Sequence, residues 1–280
     1  MTRWAPVFQL VTRPAASNVK MAYFFRESTS HATESTLRVS PFAAASLPPT
    51  SIRLLPPCAL RRLRPFCNAA QVRYCQDAEL TPAECQAAMR FDRDYYQRYY
   101  YDPRTAVTTR REMQVRARVI AAFTEHAGLP VRRILEAGSG TGMLRAALQP
   151  LLPRARYTCL ETSHYLCERY GWQHGRIEEY CAPAPFDLVI CYDVLQYLEA
   201  KAAGRALANF ARLCRGVLYF SALTRRDWAH NCDPERTDSN VYLRSGHWYR
   251  ARLRRNFREA GLGCWLRRGA PLTIWELESV

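Results

Sequence analysis

Lysine is almost missing from this chain: Lys20 and Lys201 are the only two in 280 residues, against 38 arginines. Surface roles do not demand that bias, and a GC-rich coding sequence accounts for it most simply. Long apolar runs are missing too. No stretch of about 18 or more apolar residues occurs, so no membrane-spanning helix is indicated. The eleven cysteines form no C-x-x-C pair and no His/Cys cluster, which argues against a structural zinc site, and no metal is expected. Cys159, Cys191 and Cys214 fall in apolar stretches and read as small buried hydrophobes, as suits a reducing cytoplasm. Acids are scarce early in the chain. Residues 1–76 hold ten Lys or Arg and two acids, which places +8 of the formal +15 there. The charge alone is therefore weak ground for a nucleic-acid partner, and solvated arginine faces are the plainer reading.

Sustained periodicity is absent from residues 1–75, where Pro41, Pro48, Pro49, Pro56, Pro57 and Pro65 interrupt every candidate helix. Residues 1–88 are expected to be a disordered, basic, Pro/Arg/Ser-rich extension. It reads as an organelle transit peptide, as a basic tail for nucleic acid, or as sequence upstream of a start at Met89. Residues 89–109 differ in kind. Five tyrosines stand in the seven residues Tyr95–Tyr101, too many for a solvated linker. A helix over Thr109–His126 is expected to lead through Gly128 and Pro130 into a first strand.

The most informative stretch is Ile134-Leu135-Glu136-Ala137-Gly138-Ser139-Gly140-Thr141-Gly142. A short apolar run bounded by breakers suits a buried parallel strand. Thr141–Leu148 follows with helical spacing, closed by Pro150 and Pro153. The glycines thus sit between a strand end and a helix start, where backbone N–H groups point outward and a ligand approaches the backbone closely. The dinucleotide fingerprint would place a third glycine three residues after the second; here that position is Met143. The strand also ends in an acid, Glu136, which is unfavourable beside a pyrophosphate but suits a ligand carrying cations.

Further strands follow. Arg156–Leu160 ends in Glu161, 23 residues past Gly138, a position that suits a carboxylate accepting bonds from ribose hydroxyls. A third strand is expected near Gln173–Ile177, followed by Glu178. Phe186–Cys191 is a fourth, with Tyr192 and Asp193 at its carboxyl end and Val194–Leu198 behind. Lys201–Cys214 reads as a helix and Arg215–Ser221 as the fifth strand. Trp248–Gly261 is expected to be a basic amphipathic helix, with Leu253, Phe257 and Ala260 on one face. Cys264–Leu266 and Leu272–Leu277, joined by a Gly269-Ala270-Pro271 turn, read as a terminal strand pair. In an open α/β sheet ligands lie outside the carboxyl ends of the strands, so Glu136, Glu161, Tyr192 and Asp193 are expected to meet on one rim.

The E-x-G-x-G-x-G loop, the Phe186-Asp187-Leu188-Val189-Ile190 segment with Val194-Leu195 behind it, and the terminal strand pair resemble the class I S-adenosylmethionine-dependent methyltransferases. The resemblance covers about residues 110–280. It implies an α/β fold: a Rossmann-like, seven-stranded, mostly parallel sheet with an antiparallel terminal strand and helices on both faces. It implies S-adenosylmethionine as cofactor, held by Glu136, Gly138, Ser139, Gly140, Gly142, Glu161, Ile177, Glu178 and Tyr192. The family pattern has an acid just after a glycine in the third-strand region. Here Arg176 follows Gly175, so Glu178 or a backbone N–H near Ile177 would take that role. The tyrosine-rich residues 89–109 resemble the amino-terminal caps of small members of this family, which fold over the cofactor and help form the acceptor pocket. Methyl transfer by in-line displacement is expected, with His247, Asp193 or a Tyr96 or Tyr100 hydroxyl as candidate base. No N/D-P-P-Y/F motif follows the fourth strand, so a small-molecule acceptor is favoured, with an RNA or protein acceptor left open. Two alternatives remain: an NAD(P)-dependent oxidoreductase, and a protein that binds S-adenosylmethionine without turnover.

Overall fold

The computed structural model describes residues 90–278. The expectations for residues 1–88, and the start at Met89, lie outside the described residues. A short helix α1 (Arg93–Tyr96) runs into a π-helical turn, Gln97–Tyr101. Then come α2 (Arg110–His126), β1 (Arg133–Ala137), α3 (Met143–Leu148), β2 (Arg156–Glu161), α4 (His164–Tyr170) and β3 (Gln173–His174). β4 (Phe186–Tyr192), α5 (Ala200–Leu213), β5 (Cys214–Ser221), α6 (Arg225–His230), α7 (Gly246–Leu253), β6 (Phe257–Glu259) and β7 (Cys264–Arg267) complete the order. Among the described residues no helix is long and apolar enough to cross a membrane, and no group of three or more His, Cys, Asp or Glu is placed to hold a metal ion.

The seven strands form one sheet in the order β3-β2-β1-β4-β5-β7-β6. β1 pairs in parallel with β2 and β4, and β4 with β5. β7 is antiparallel to both β5 and β6. The central strands are buried on both faces, with Ile134, Leu135, Leu188, Val189 and Ile190 fully covered. That is why they read as near-continuous apolar runs rather than alternating ones. One face carries α5, whose Ala203, Ala206, Leu207, Phe210 and Leu213 recur at helical spacing. The other carries α2 and α3, with Met113, Ala117, Ile120, Leu144 and Leu148 against Ile134 and Leu188. A capping box at Thr109 and Glu112 fixes the start of α2, each side chain satisfying the other's backbone N–H.

Asp187 locks the register of the two central strands. Its Oδ2 accepts from the backbone N–H groups of Arg132 and Arg133, each at 2.8 Å, and its Oδ1 from Arg215 Nε at 2.6 Å. Removing a buried acceptor leaves those donors unsatisfied. Asp187→Ala is expected to cost about 3 kcal/mol and to lower the midpoint of thermal unfolding by several degrees. A shift within the error of the wild type would show that Asp187 does not pin this register.

Two expectations for the carboxyl third are corrected. The helix from Trp248 stops at Leu253, and Phe257–Glu259 is an edge strand paired with β7. Leu253 and Phe257 are both fully buried in the same core cluster, so one apolar spacing served two element types. The terminal antiparallel pair is therefore β6 and β7. Leu272–Leu277 is not a strand: residues 271–275 are irregular and Glu276–Glu278 is a 3-10 turn. Leu272 and Ile274 instead pack on the core cluster beneath α2 and α3. The third strand is also shorter than expected, only Gln173–His174.

Candidate active site

The glycine loop leaves β1 at the carboxyl edge of the sheet and is held there by β2. The N–H groups of Gly138 and Ser139 both reach Leu160 O, at 2.8 and 3.2 Å. Ser139 Oγ donates back to Glu136 O at 3.0 Å. Gly138 has φ +73°, and a Cβ there would stand 2.3 Å from Val194 Cγ2, so the loop is wedged against the segment that follows β4. Trp172 closes the outer side, donating from Nε1 to Gly140 O at 3.0 Å.

Three carboxylates stand at the carboxyl ends of β1, β2 and β4. Glu136 is only 4 % exposed. Tyr157 Oη donates to its Oε2 at 2.8 Å. Burial pushes the Glu136 carboxyl up to about 8, the neighbouring Glu161 adds to the rise, and the Tyr157 hydrogen bond and Arg145 oppose it. Glu161 accepts from Gly140 N at 2.8 Å on one oxygen, and from Thr162 N at 2.8 Å and Ser163 N at 3.0 Å on the other. Burial raises its pKa while those N–H groups lower it. Asp193 follows β4 in the left-handed region at φ +54°, and its N–H bonds Ser221 O at 3.0 Å. Burial raises its pKa too, opposed by Tyr192, Arg116 and Ser221.

Tyr192 lies on the α2 side of the sheet. Arg116 stacks over its ring at 3.9 Å and donates to Tyr192 Oη at 2.9 Å and to Tyr219 Oη at 2.6 Å. Glu178 is buried, with Oε1 held by Arg176 Nε at 2.8 Å. Ile177 is buried, and its carbonyl accepts from Asn209 Nδ2 at 2.7 Å. The tyrosine-rich segment covers this edge and is tied down at several places. Ser163 Oγ donates to Phe91 O at 2.6 Å, Tyr95 and Tyr197 share a hydroxyl contact at 3.0 Å, and Arg236 Nη2 donates to Ala106 O at 2.6 Å. Arg90 adds a bond to Asn240 O.

The candidate bases separate. Asp193 and Tyr100 share the rim: burial, Tyr197, Asp193, Glu161 and Tyr192 together drive the Tyr100 phenol well above its ordinary value. Tyr96 is packed within the cap, stacked on Tyr165 at 6.0 Å. Burial, Glu161 and Tyr100 hold its proton well above the usual phenol range, as burial does for Tyr100. His247 is exposed on the first turn of α7, and no hydrogen bond among the described residues joins it to the rim. Trp172, Arg116 and Tyr197 are site neighbours that spacing along the chain does not reveal. Each meets its partner only through the folded sheet.

Residues 135–216 match the sequence profile of the family described as "Methyltransferase domain". Those residues run from β1 into β5 and hold the glycine loop, Glu161 and Asp193. The matched 82 of the 280 residues are thus similar in sequence to a methyltransferase domain. The chain is also similar to solved structures, three of which follow. DesVI of Streptomyces venezuelae is 15% identical, with 56% of this chain and 91% of that chain covered at a TM-score of 0.43. Magnesium protoporphyrin IX methyltransferase of Synechocystis PCC 6803, solved with S-adenosylmethionine, is 18% identical over 67% and 95% at 0.45. The N-methyltransferase NodS of Bradyrhizobium japonicum WM9 is 19% identical over 56% and 93% at 0.39. No curated protein matches the chain in sequence.

Proposed function

We propose that this protein transfers the methyl group of S-adenosylmethionine to a small-molecule acceptor held between the tyrosine cap and the ends of β4 and β5. The observation that carries the reading is that Glu136, Glu161 and Asp193 stand at the carboxyl ends of β1, β2 and β4, with Tyr100 of the cap facing both Glu161 and Asp193. The residues fit the donor. Glu136 is a buried carboxyl that lacks a cationic partner within ion-pair distance among the described residues, so an ammonium group would complete it. Glu161 has a lone pair left on Oε2 after Gly140 N–H, which suits a ribose hydroxyl. Gly140 leaves open space where a side chain would stand. Ile177 and Glu178 flank the place an adenine would take. The Arg176 ion pair leaves Glu178 its second oxygen, and the Ile177 N–H has no acceptor among the described residues.

Bound S-adenosylmethionine supplies a methyl already activated on a sulfonium, so transfer is an in-line displacement by the acceptor. The protein's work is then to hold acceptor and methyl close and collinear, worth several kcal/mol, and to keep water out. Tyr100, Tyr192 and Tyr197 wall the acceptor side; the Tyr192 and Tyr197 rings already carry Arg116 and Arg90. Asp193, raised by burial and set at the end of β4, receives a proton where the acceptor must lose one.

A radiolabelled-methyl transfer assay on host extract, fractionated into small molecules, RNA and protein, tests the acceptor class. Label in the small-molecule fraction is expected; label only in RNA or protein would overturn it. Thermal-shift titration tests the donor: S-adenosylhomocysteine should stabilise the protein and NADH should not. Asp193→Asn is expected to lower kcat about 100-fold or more while keeping the S-adenosylhomocysteine shift. Unchanged kcat would remove Asp193 from the proton path.

A further inference from the structure

Arg116 is a half-buried cation on α2, and its hydrogen-bond partners are two phenols rather than an acid. The guanidinium lies over the Tyr192 ring at 3.9 Å. Its Nη2 donates to Tyr192 Oη at 2.9 Å and its Nη1 to Tyr219 Oη at 2.6 Å. Among the described residues no carboxylate stands within ion-pair distance of it, and its Nε is buried without a hydrogen bond. Taking a cation out of water without an ion pair is costly, and an apolar side chain would pack against two rings as well. What the charge adds is its pull on the two hydroxyls.

A phenol has one proton to give. Tyr192 Oη accepts from Arg116, and it bonds the side chain of Asp193, the next residue along the chain. Its own proton is therefore the one that goes to Asp193. Accepting from a cation polarises the hydroxyl and strengthens the bond it donates. A bond donated to a carboxyl group favours the ionised form. Asp193 is faced as well by Ser221 and Tyr219 on β5, Cys191 on β4, Asp227 on α6, Cys232, Tyr100 and Tyr197. Burial keeps those phenols and thiols protonated at neutral pH, and the Asp227 anion opposes a second one beside it. Arg116 is the cation among these groups. We infer that Arg116 is a positioning residue, which holds the Tyr192 hydroxyl with its proton turned to Asp193 and so eases the ionisation of Asp193. The inference rests on the reading that Asp193 receives the acceptor's proton.

The test is a carbon-13 NMR titration of the aspartate carboxyls in the full chain, with the Asp193 signal assigned from Asp193→Asn. It reads the proton directly and needs no acceptor. Arg116→Met is expected to raise the pKa of Asp193 by about one pH unit, and Tyr192→Phe to raise it about as much. In the Tyr192→Phe background, Arg116→Met should move it by less than about half as far, because the hydroxyl that links the two is gone. Arg116→Lys keeps the charge but cannot bridge both hydroxyls. It should give a smaller rise, and it serves if the methionine variant does not fold. Two results would overturn the inference: an Asp193 pKa unmoved by Arg116→Met and Arg116→Lys, or an Arg116→Met effect equal in both backgrounds, which would make the charge act directly through space. The reading of Asp193 as proton acceptor fails separately, by an unchanged kcat in Asp193→Asn, and the titrations stand either way.

Discussion

Gly138→Ala is expected to destroy cofactor binding and to destabilise the fold by about 3 kcal/mol. Two physical costs coincide at this residue. The backbone stands at φ +73°, where an L side chain is strained, and the new Cβ would come 2.3 Å from Val194 Cγ2. Neither Gly138 nor Val194 can retreat easily. The Gly138 N–H is bonded to Leu160 O, and Val194 packs on the core beneath α5. The two costs separate in a double-mutant cycle. Val194→Ala in the Gly138→Ala background should recover about 1–2 kcal/mol by removing the clash, leaving about 1 kcal/mol of backbone strain. Gly140→Ala is the informative contrast. Its φ is also positive, yet its Cβ would meet nothing within 4 Å. The expected result is a stability loss of only about 1 kcal/mol with loss of the S-adenosylhomocysteine thermal shift. If Gly140→Ala binds as the wild type does, the cofactor does not lie over this loop.

The second large effect is a pH dependence of donor binding set by Glu136. Burial, with Glu161 beside it, raises this carboxyl from the ordinary 4.5 to about 8, so the unliganded site is protonated at neutral pH. A ligand ammonium pairs with the carboxylate, so binding at pH 7 must release close to one proton. Affinity for S-adenosylhomocysteine should therefore fall below pH 8, approaching tenfold per pH unit, about 50-fold between pH 8 and pH 6. Calorimetry in buffers of different ionisation enthalpy reads the released proton directly. Methylthioadenosine, which has the nucleoside but no ammonium, should show no such slope; an equal slope would mean that Glu136 does not face the ammonium. The same shift acts on stability. A raised carboxyl pKa gives stability that is fully present below 4.5 and is lost as pH rises to about 8. Glu136→Gln should remove both slopes.

Much of this was legible along the chain. β1, β2, β4 and β5 were readable because buried parallel strands are near-continuous apolar runs between breakers. α2 was readable to within a residue because Thr109 and Glu112 form its capping box. β6 was not. Leu253 and Phe257 lie four apart, which is helical spacing, and three residues are too few to show strand alternation. The better signal was Gly261-Leu262-Gly263 between two short runs, a hairpin turn. Leu272–Leu277 misled for the opposite reason: an apolar alternation that suits a strand is used instead to cover the outer face of the core.

The sequence by itself determined the glycine loop, the two acids at the ends of β1 and β2, and the segment through β4, because each is a local pattern whose chemistry follows from neighbours a few residues away. Tertiary structure decided the rest. It raised Glu136 by burying it beside Glu161. It set Arg116 against Tyr192 and Tyr219, 76 and 103 residues away, and it brought Tyr100 to Asp193. It turned Phe257–Glu259 into a strand, because β7 needed a partner for its outer hydrogen bonds. Burial and long-range pairing are properties of the packed sheet, and no spacing along the chain encodes them.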